Sequence, residues 1–212
     1  MRAMRSAGRQ LFGDRISWDG VEAGGSLDPL IFAEAVRQSR IKDAEKRHEE
    51  FRNHYLKHLE RELARSGDQV RTMPGVHELL AVLRQRAETR GDLVLGMLTG
   101  NYGSAVPMKL AAIGVCPDQF TVTVFGDEAP TRAGLVALAM QRYERITGEA
   151  ADPRRVIVIG DTPRDVACAR AHDCVCFAVA TGSHSVAELR AAGAMHTVED
   201  LSDPQPLLAL LG

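Results

Sequence analysis

The chain has 212 residues, of which 45% are hydrophobic and 25% charged, and a formal net charge of −2. That length suits one domain, or one domain with a smaller insert, and allows a sizeable core. The near-neutral balance leaves no basic footprint for nucleic acid, and no apolar run approaches the ~18–20 residues that span a bilayer, so neither partner is expected.

The opening stretch, MRAMRSAGRQLFGD, is basic but lacks the apolar segment of a secretory signal; it reads as a short helical piece ending at Phe12-Gly13. Residues 14–72 are polar and helical in pattern. Asp28-Pro29 marks a helix start, with Ile31, Ala35 and Val36 on one face, and Phe51, Tyr55, Leu59 and Leu63 recur every four residues. From residue 73 the texture changes. Pro74 begins a helix carrying Val76, Leu79, Leu80 and Leu83. A buried strand follows at 93–99 (LVLGMLT), then a helix ending at Gly114 and a β-branched strand at 120–126 (FTVTVFG). Thr131 opens a helix. VIVIG (156–160) is a strand, PRDVACARAHDC a helix, VCFAVAT a strand and SVAELRAAGA a helix. This alternation predicts an α/β fold, a parallel sheet with helices on both faces. Cys168, Cys174 and Cys176 sit in the apolar pattern, and neither they nor Cys116 form a CxxC pair; they read as small buried residues of a reduced, cytoplasmic protein.

In open α/β sheets, ligands bind beyond the carboxyl ends of the strands. Thr99, Gly100 and Asn101 follow one strand, Asp161 follows another, and Thr131-Arg132 lie past a third. Thr99 with the backbone N–H groups of Gly100 and Asn101 could cradle a phosphate, or could form a plain turn. Arg132 stands at a helix N-terminus, where the dipole disfavours a cation unless an anion lies close. Asp161 and Asp165 are four apart, so the helix brings them together, and two adjacent carboxylates suit a divalent ion such as Mg²⁺. A capping box at Thr162 also accounts for Asp165, but not for Asp161. His54 and His58 have i,i+4 spacing without the glutamate of a zinc helix, and read as a solvated face. Trp18 and Tyr102 receive no role.

The order LTGN, then Arg132, then VIVIGDTPRD resembles the haloacid dehalogenase-like (HAD) superfamily, in particular its phosphoglycolate-phosphatase-like members with a helical cap. The resemblance implies a Rossmann-like HAD core at 73–212, a cap at 14–72 and a core remnant at 1–13. It implies that Thr99 and Arg132 are catalytic, that Thr99, Gly100, Asn101 and Arg132 bind phosphate, and that Asp161 and Asp165 bind Mg²⁺. Asp127 competes for a minor role. The implied activity is Mg²⁺-dependent hydrolysis of a small phosphorylated metabolite, with specificity in the cap around GGSLDP or Tyr55. The oligomeric state is not readable.

The family's first motif, an apolar strand ending in Asp-x-Asp-Gly-Thr, has no counterpart: no Asp-x-Asp occurs in the sequence, and Asp14 follows no strand. By resemblance the first Asp is the nucleophile, and its strand lies between those ending at Thr99 and Asp161. The first core strand is therefore expected to be absent, which implies a reading frame beginning upstream of Met1 or a shortened chain. The alternative is a non-catalytic module that binds phosphate or Mg²⁺. A receiver-type signalling domain is set aside, because there the acidic pair precedes the Thr.

Overall fold

The computed structural model describes residues 1–212, the side chain of Asp68 excepted. Three helices form a layer of their own: α1 (Arg2–Phe12), α2 (Asp28–Gln38) and α3 (His48–Ser66). The expectation that residues 1–13 stay with the sheet gives way to a different packing. Ala3, Met4, Ala7 and Leu11 recur at helical spacing, and that stripe packs along α3. They share one apolar cluster with Ile31, Phe32, Phe51 and Tyr55. Phe51 is the centre of this layer, with its ring 4.1 Å from Phe32 and 6.2 Å from Trp18.

The remainder alternates strands and helices: α4 (Val76–Arg90), β1 (Gly96–Leu98), α5 (Val106–Ala112), β2 (Val122–Val124), α6 (Arg132–Thr147), β3 (Ile157–Gly160), α7 (Pro163–Arg170), β4 (Val175–Val179), α8 (Val186–Ala191), β5 (His196–Val198) and α9 (Gln205–Leu208). All pairings are parallel, but they fall into two sheets, β1-β2 and β3-β4-β5. β4 explains the layering. Its alternate residues Cys176 and Ala178 join a cluster with Val136 of α6, Val166 of α7 and Leu189 of α8. Phe177 and Val179 join Leu79 and Leu83 of α4 and Leu207 of α9 on the other face. Cys168, Cys174 and Cys176 are buried free thiols, and burial raises the pKa of each, that of Cys176 to about 11.

The helical layer is tied to the sheets through the loop after β1. Tyr102 and Ala105 are buried in the helical cluster, and the Tyr102 hydroxyl lies 2.8 Å from His48 Nε2. Asp28 N donates to Gly100 O at 2.7 Å, and the Asp28 carboxylate accepts from Tyr102 N at 2.9 Å.

Candidate functional site

β1 ends at Leu98, but Thr99 N still donates to Val124 O at 3.0 Å, so Thr99 is held at the sheet edge. Its hydroxyl accepts from Asn101 N at 3.2 Å and from Asn101 Nδ2 at 2.5 Å. Gly100 packs tightly: a Cβ there would lie 2.3 Å from Ser26 O, so only glycine lets the loop cross this edge. Thr99, Gly100 and Asn101 line a cavity of about 320 Å³ together with Arg132 and Asp161. Gly25, Ser26 and Asp28 of the GGSLDP stretch, and Tyr55 of α3, close it from the helical side.

Asp165 does not line that cavity. Its Oδ1 accepts from Arg132 Nε at 2.9 Å and Nη2 at 2.6 Å; its Oδ2 accepts from Asp161 N, Thr162 N and Thr162 Oγ1. Thr162 and Asp165 form the capping box of α7. The Asp165 side chain is 3% exposed and that of Arg132 19%. The anion that offsets the dipole penalty at Arg132 is thus this carboxylate. Gly160 allows the tuck, since a Cβ there would sit 2.2 Å from Asp165 Cγ.

The two aspartates therefore differ in what they offer. Asp161 reaches the cavity with a carboxylate that makes no hydrogen bond or ion pair among the described residues, and it fits a hard cation as a single oxygen ligand. Asp165 has both oxygens filled and serves the helix start and Arg132. Among the described residues no group of three or more His, Cys, Asp or Glu side chains is placed to hold a metal ion. Asp127 turns away from the cavity; it accepts from Gly103 N at 2.9 Å and faces Arg52 at 3.8 Å. His58 bonds Gln10 at 2.8 Å, and His54 faces Glu50 at 3.9 Å, in keeping with a helix surface.

Residues 131–204 match a family model described as HAD-hydrolase-like. The fold also superposes on that of a hydrolase from Pseudomonas syringae, with a TM-score of 0.66 at 21% identity, covering 98% of this chain and 89% of that one. The fold is HAD-like. A predicted phosphoglycolate phosphatase from Haemophilus somnus aligns with it at TM-score 0.62 and 17% identity, over 98% of this chain and 89% of the other. CbbY from Rhodobacter sphaeroides, in complex with xylulose 1,5-bisphosphate, aligns at 0.64 and 15%, over 95% and 87%. No curated protein matches the sequence significantly.

The HAD-like fold brings one further residue to the cavity that sequence reasoning missed. Lys109 of α5 lines it and donates to Asn101 Oδ1. Burial lowers the Lys109 pKa, and Asp28 works against that shift. Burial likewise raises the pKa of Asp28, opposed by Lys109 and by the Tyr102 N–H bond. A lysine in PMKLAAIG carries no local signature; only the fold of the loop onto α5 brings it beside Asn101.

Proposed function

We infer that the HAD-like chain binds the phosphoryl group of a small phosphomonoester and belongs to a phosphatase. The observation that carries this reading is the convergence of Thr99, Asn101, Arg132, Lys109 and Asp161 on one cavity. In this reading the Thr99 hydroxyl, aimed by the two bonds it accepts from Asn101, and the Gly100 N–H orient the phosphoryl oxygens, and the two cations draw the anion in. Asp165 acts through Arg132 as a positioning residue. Asp161 is the residue that would hold Mg²⁺, and a bound Mg²⁺ would neutralise charge on the phosphoryl oxygens. Ser26, Asp28 and Tyr55, on the helical side, would choose among leaving groups. The likeness to a protein described with a sugar bisphosphate supports a phosphorylated metabolite as ligand.

A panel of phosphorylated metabolites and p-nitrophenyl phosphate, assayed with Mg²⁺, tests this. Thr99→Val should lower kcat/KM by about 10²-fold, the usual effect of losing one donor to a developing oxyanion. Asp161→Asn should raise the Mg²⁺ needed for half-maximal rate. The absence of both turnover and calorimetric binding across the whole panel would sink the reading. A second reading is favoured by the absence of Asp-x-Asp from the sequence: a module that binds phosphate esters without turning them over. It requires calorimetric binding that Arg132→Met weakens, with no product formed.

A further inference from the structure

The helical side of the cavity carries polar side chains whose bonding capacity is unspent. Tyr55 lines the cavity and is 3% exposed, yet its hydroxyl makes no hydrogen bond among the described residues. A buried phenol ordinarily has a partner, and the cavity is where one can reach it. Asp28, also buried, uses Oδ2 to accept from Tyr102 N, while its Oδ1 accepts nothing among the described residues. Lys109 Nζ donates to Asn101 Oδ1 and keeps further N–H groups to give. The Ser26 hydroxyl lines the same wall and likewise makes no hydrogen bond among the described residues. Burial, and then the nearby Asp28 charge, raise the Tyr55 pKa, so the phenol keeps its proton and stands beside Asp28 as a donor.

We propose that Tyr55 and Asp28 together read a hydroxyl on the group esterified to the phosphate, so that the ligands are monophosphates of small polyols and sugars, in preference to carboxylated phosphates such as phosphoglycolate. This rests on the phosphate reading and narrows it. A hydroxyl both donates and accepts: it gives its proton to Asp28 Oδ1 and takes one from Tyr55. A plain alkyl chain leaves both groups unmet. A carboxylate only accepts, so it can satisfy Tyr55 but has no proton for Asp28, and it places a second negative charge beside one that burial already disfavours. Ser26 and Lys109 offer the same wall to a second hydroxyl. The cavity volume of about 320 Å³ is at the small end for ligand sites, which holds the alcohol to a few carbons.

Calorimetry on the full chain tests this without reading turnover, with glycerol phosphate, propyl phosphate, phosphoglycolate and inorganic phosphate as the probes. Glycerol phosphate should bind at least about tenfold more tightly than propyl phosphate or phosphoglycolate, as expected when a site built for a hydroxyl meets a ligand that lacks one. Tyr55→Phe should remove most of the preference over propyl phosphate. Asp28→Asn keeps an oxygen for the Tyr102 N–H and gains an N–H of its own, so it should narrow the gap between glycerol phosphate and phosphoglycolate. A purely structural effect of either variant would weaken all four ligands alike and leave the ratios in place, and that result would overturn the assignment to these two side chains. Equal affinity for glycerol phosphate and propyl phosphate, or a preference for phosphoglycolate, would overturn the proposal while the phosphate reading stands. Binding of none of the four, inorganic phosphate included, would overturn both.

Discussion

Asp165 concentrates more bonding than any other side chain near the cavity, and it does so while almost wholly buried. Removing one partner of such a pair leaves the other charged and desolvated. Asp165→Ala should therefore cost about 3–5 kcal/mol of stability in urea unfolding, and Asp165→Asn less, since the amide oxygen still accepts part of the network. His48 supplies a pH prediction of definite sign. Burial, with Arg52 next in weight, holds its imidazole below the ordinary value, against the pull of Asp127. Between that lowered value and the ordinary one of about 6.5 the unfolded chain binds more protons than the folded one, so stability rises with pH through this window and falls on acidification. His48→Gln, which can still reach the Tyr102 hydroxyl, should flatten urea midpoints measured from about pH 5 to about pH 8; an unchanged slope would locate the effect elsewhere. At this scale the sequence is legible in part. GDTPRD announces the capping box because Thr162, Pro163 and Asp165 are local to one turn. The clasp on Arg132 joins residues 33 apart, and no spacing rule reaches that far.

Elements with strong local signals are those the sequence reveals well. Thr131 caps α6 by accepting from Gly134 N at 3.0 Å, where a helix start was expected, and the Phe51–Leu59 stripe is the buried face of α3. Elements defined by pairing are less visible. LVLGMLT suggests a strand over 93–99, yet only Gly96–Leu98 pair, because β2 is matched over just that length. β5 and α9 escape detection: His196-Thr197-Val198 is too short and polar to stand out, and α9 spans four residues. Helix α8 gives a clean test of how local such stability is. Its capping box joins Ser185 and Glu188, exposed and not among the residues lining the cavity. Ser185→Ala should cost about 1 kcal/mol and leave phosphate-ester binding as in the parent chain. The cap of α7 shares Asp165 with Arg132, so Thr162→Val should disturb stability and ligand binding together. Calorimetry and urea unfolding on the two variants separate these cases.

At the scale of the whole molecule, the helical layer and the sheets share a boundary of polar bonds, buried at Asp28 and exposed at Arg164, as well as apolar packing. Asp28 bonds the backbone at both Gly100 and Tyr102, Arg164 reaches Gly24 O at 2.6 Å and Glu22 at 3.1 Å, and Tyr102 is fully buried among α1, α2 and α3. Unfolding the helical layer alone would take Asp28 away from Tyr102 N and Gly100 O, leaving those backbone groups without partners, and would expose the Tyr102 ring, so the two layers should melt as one cooperative unit. Trp18 makes this measurable. It is the sole tryptophan in the chain, it is buried in the helical layer against Phe51, and its fluorescence reports that layer alone. The amides of Cys176 to Val179 in β4 report the sheet. Urea transitions followed by Trp18 fluorescence and by hydrogen exchange at β4 should coincide. Phe51→Ala, which opens the centre of the helical layer at a cost of about 3–5 kcal/mol, should move both by the same amount although Phe51 touches no strand of the β3-β4-β5 sheet. If the Trp18 transition instead shifts alone, the layers are energetically separate and the bonds at Asp28 and Tyr102 do not couple them. In that case the helical layer could move over the cavity without loosening the sheet, as a cover over a closing site requires.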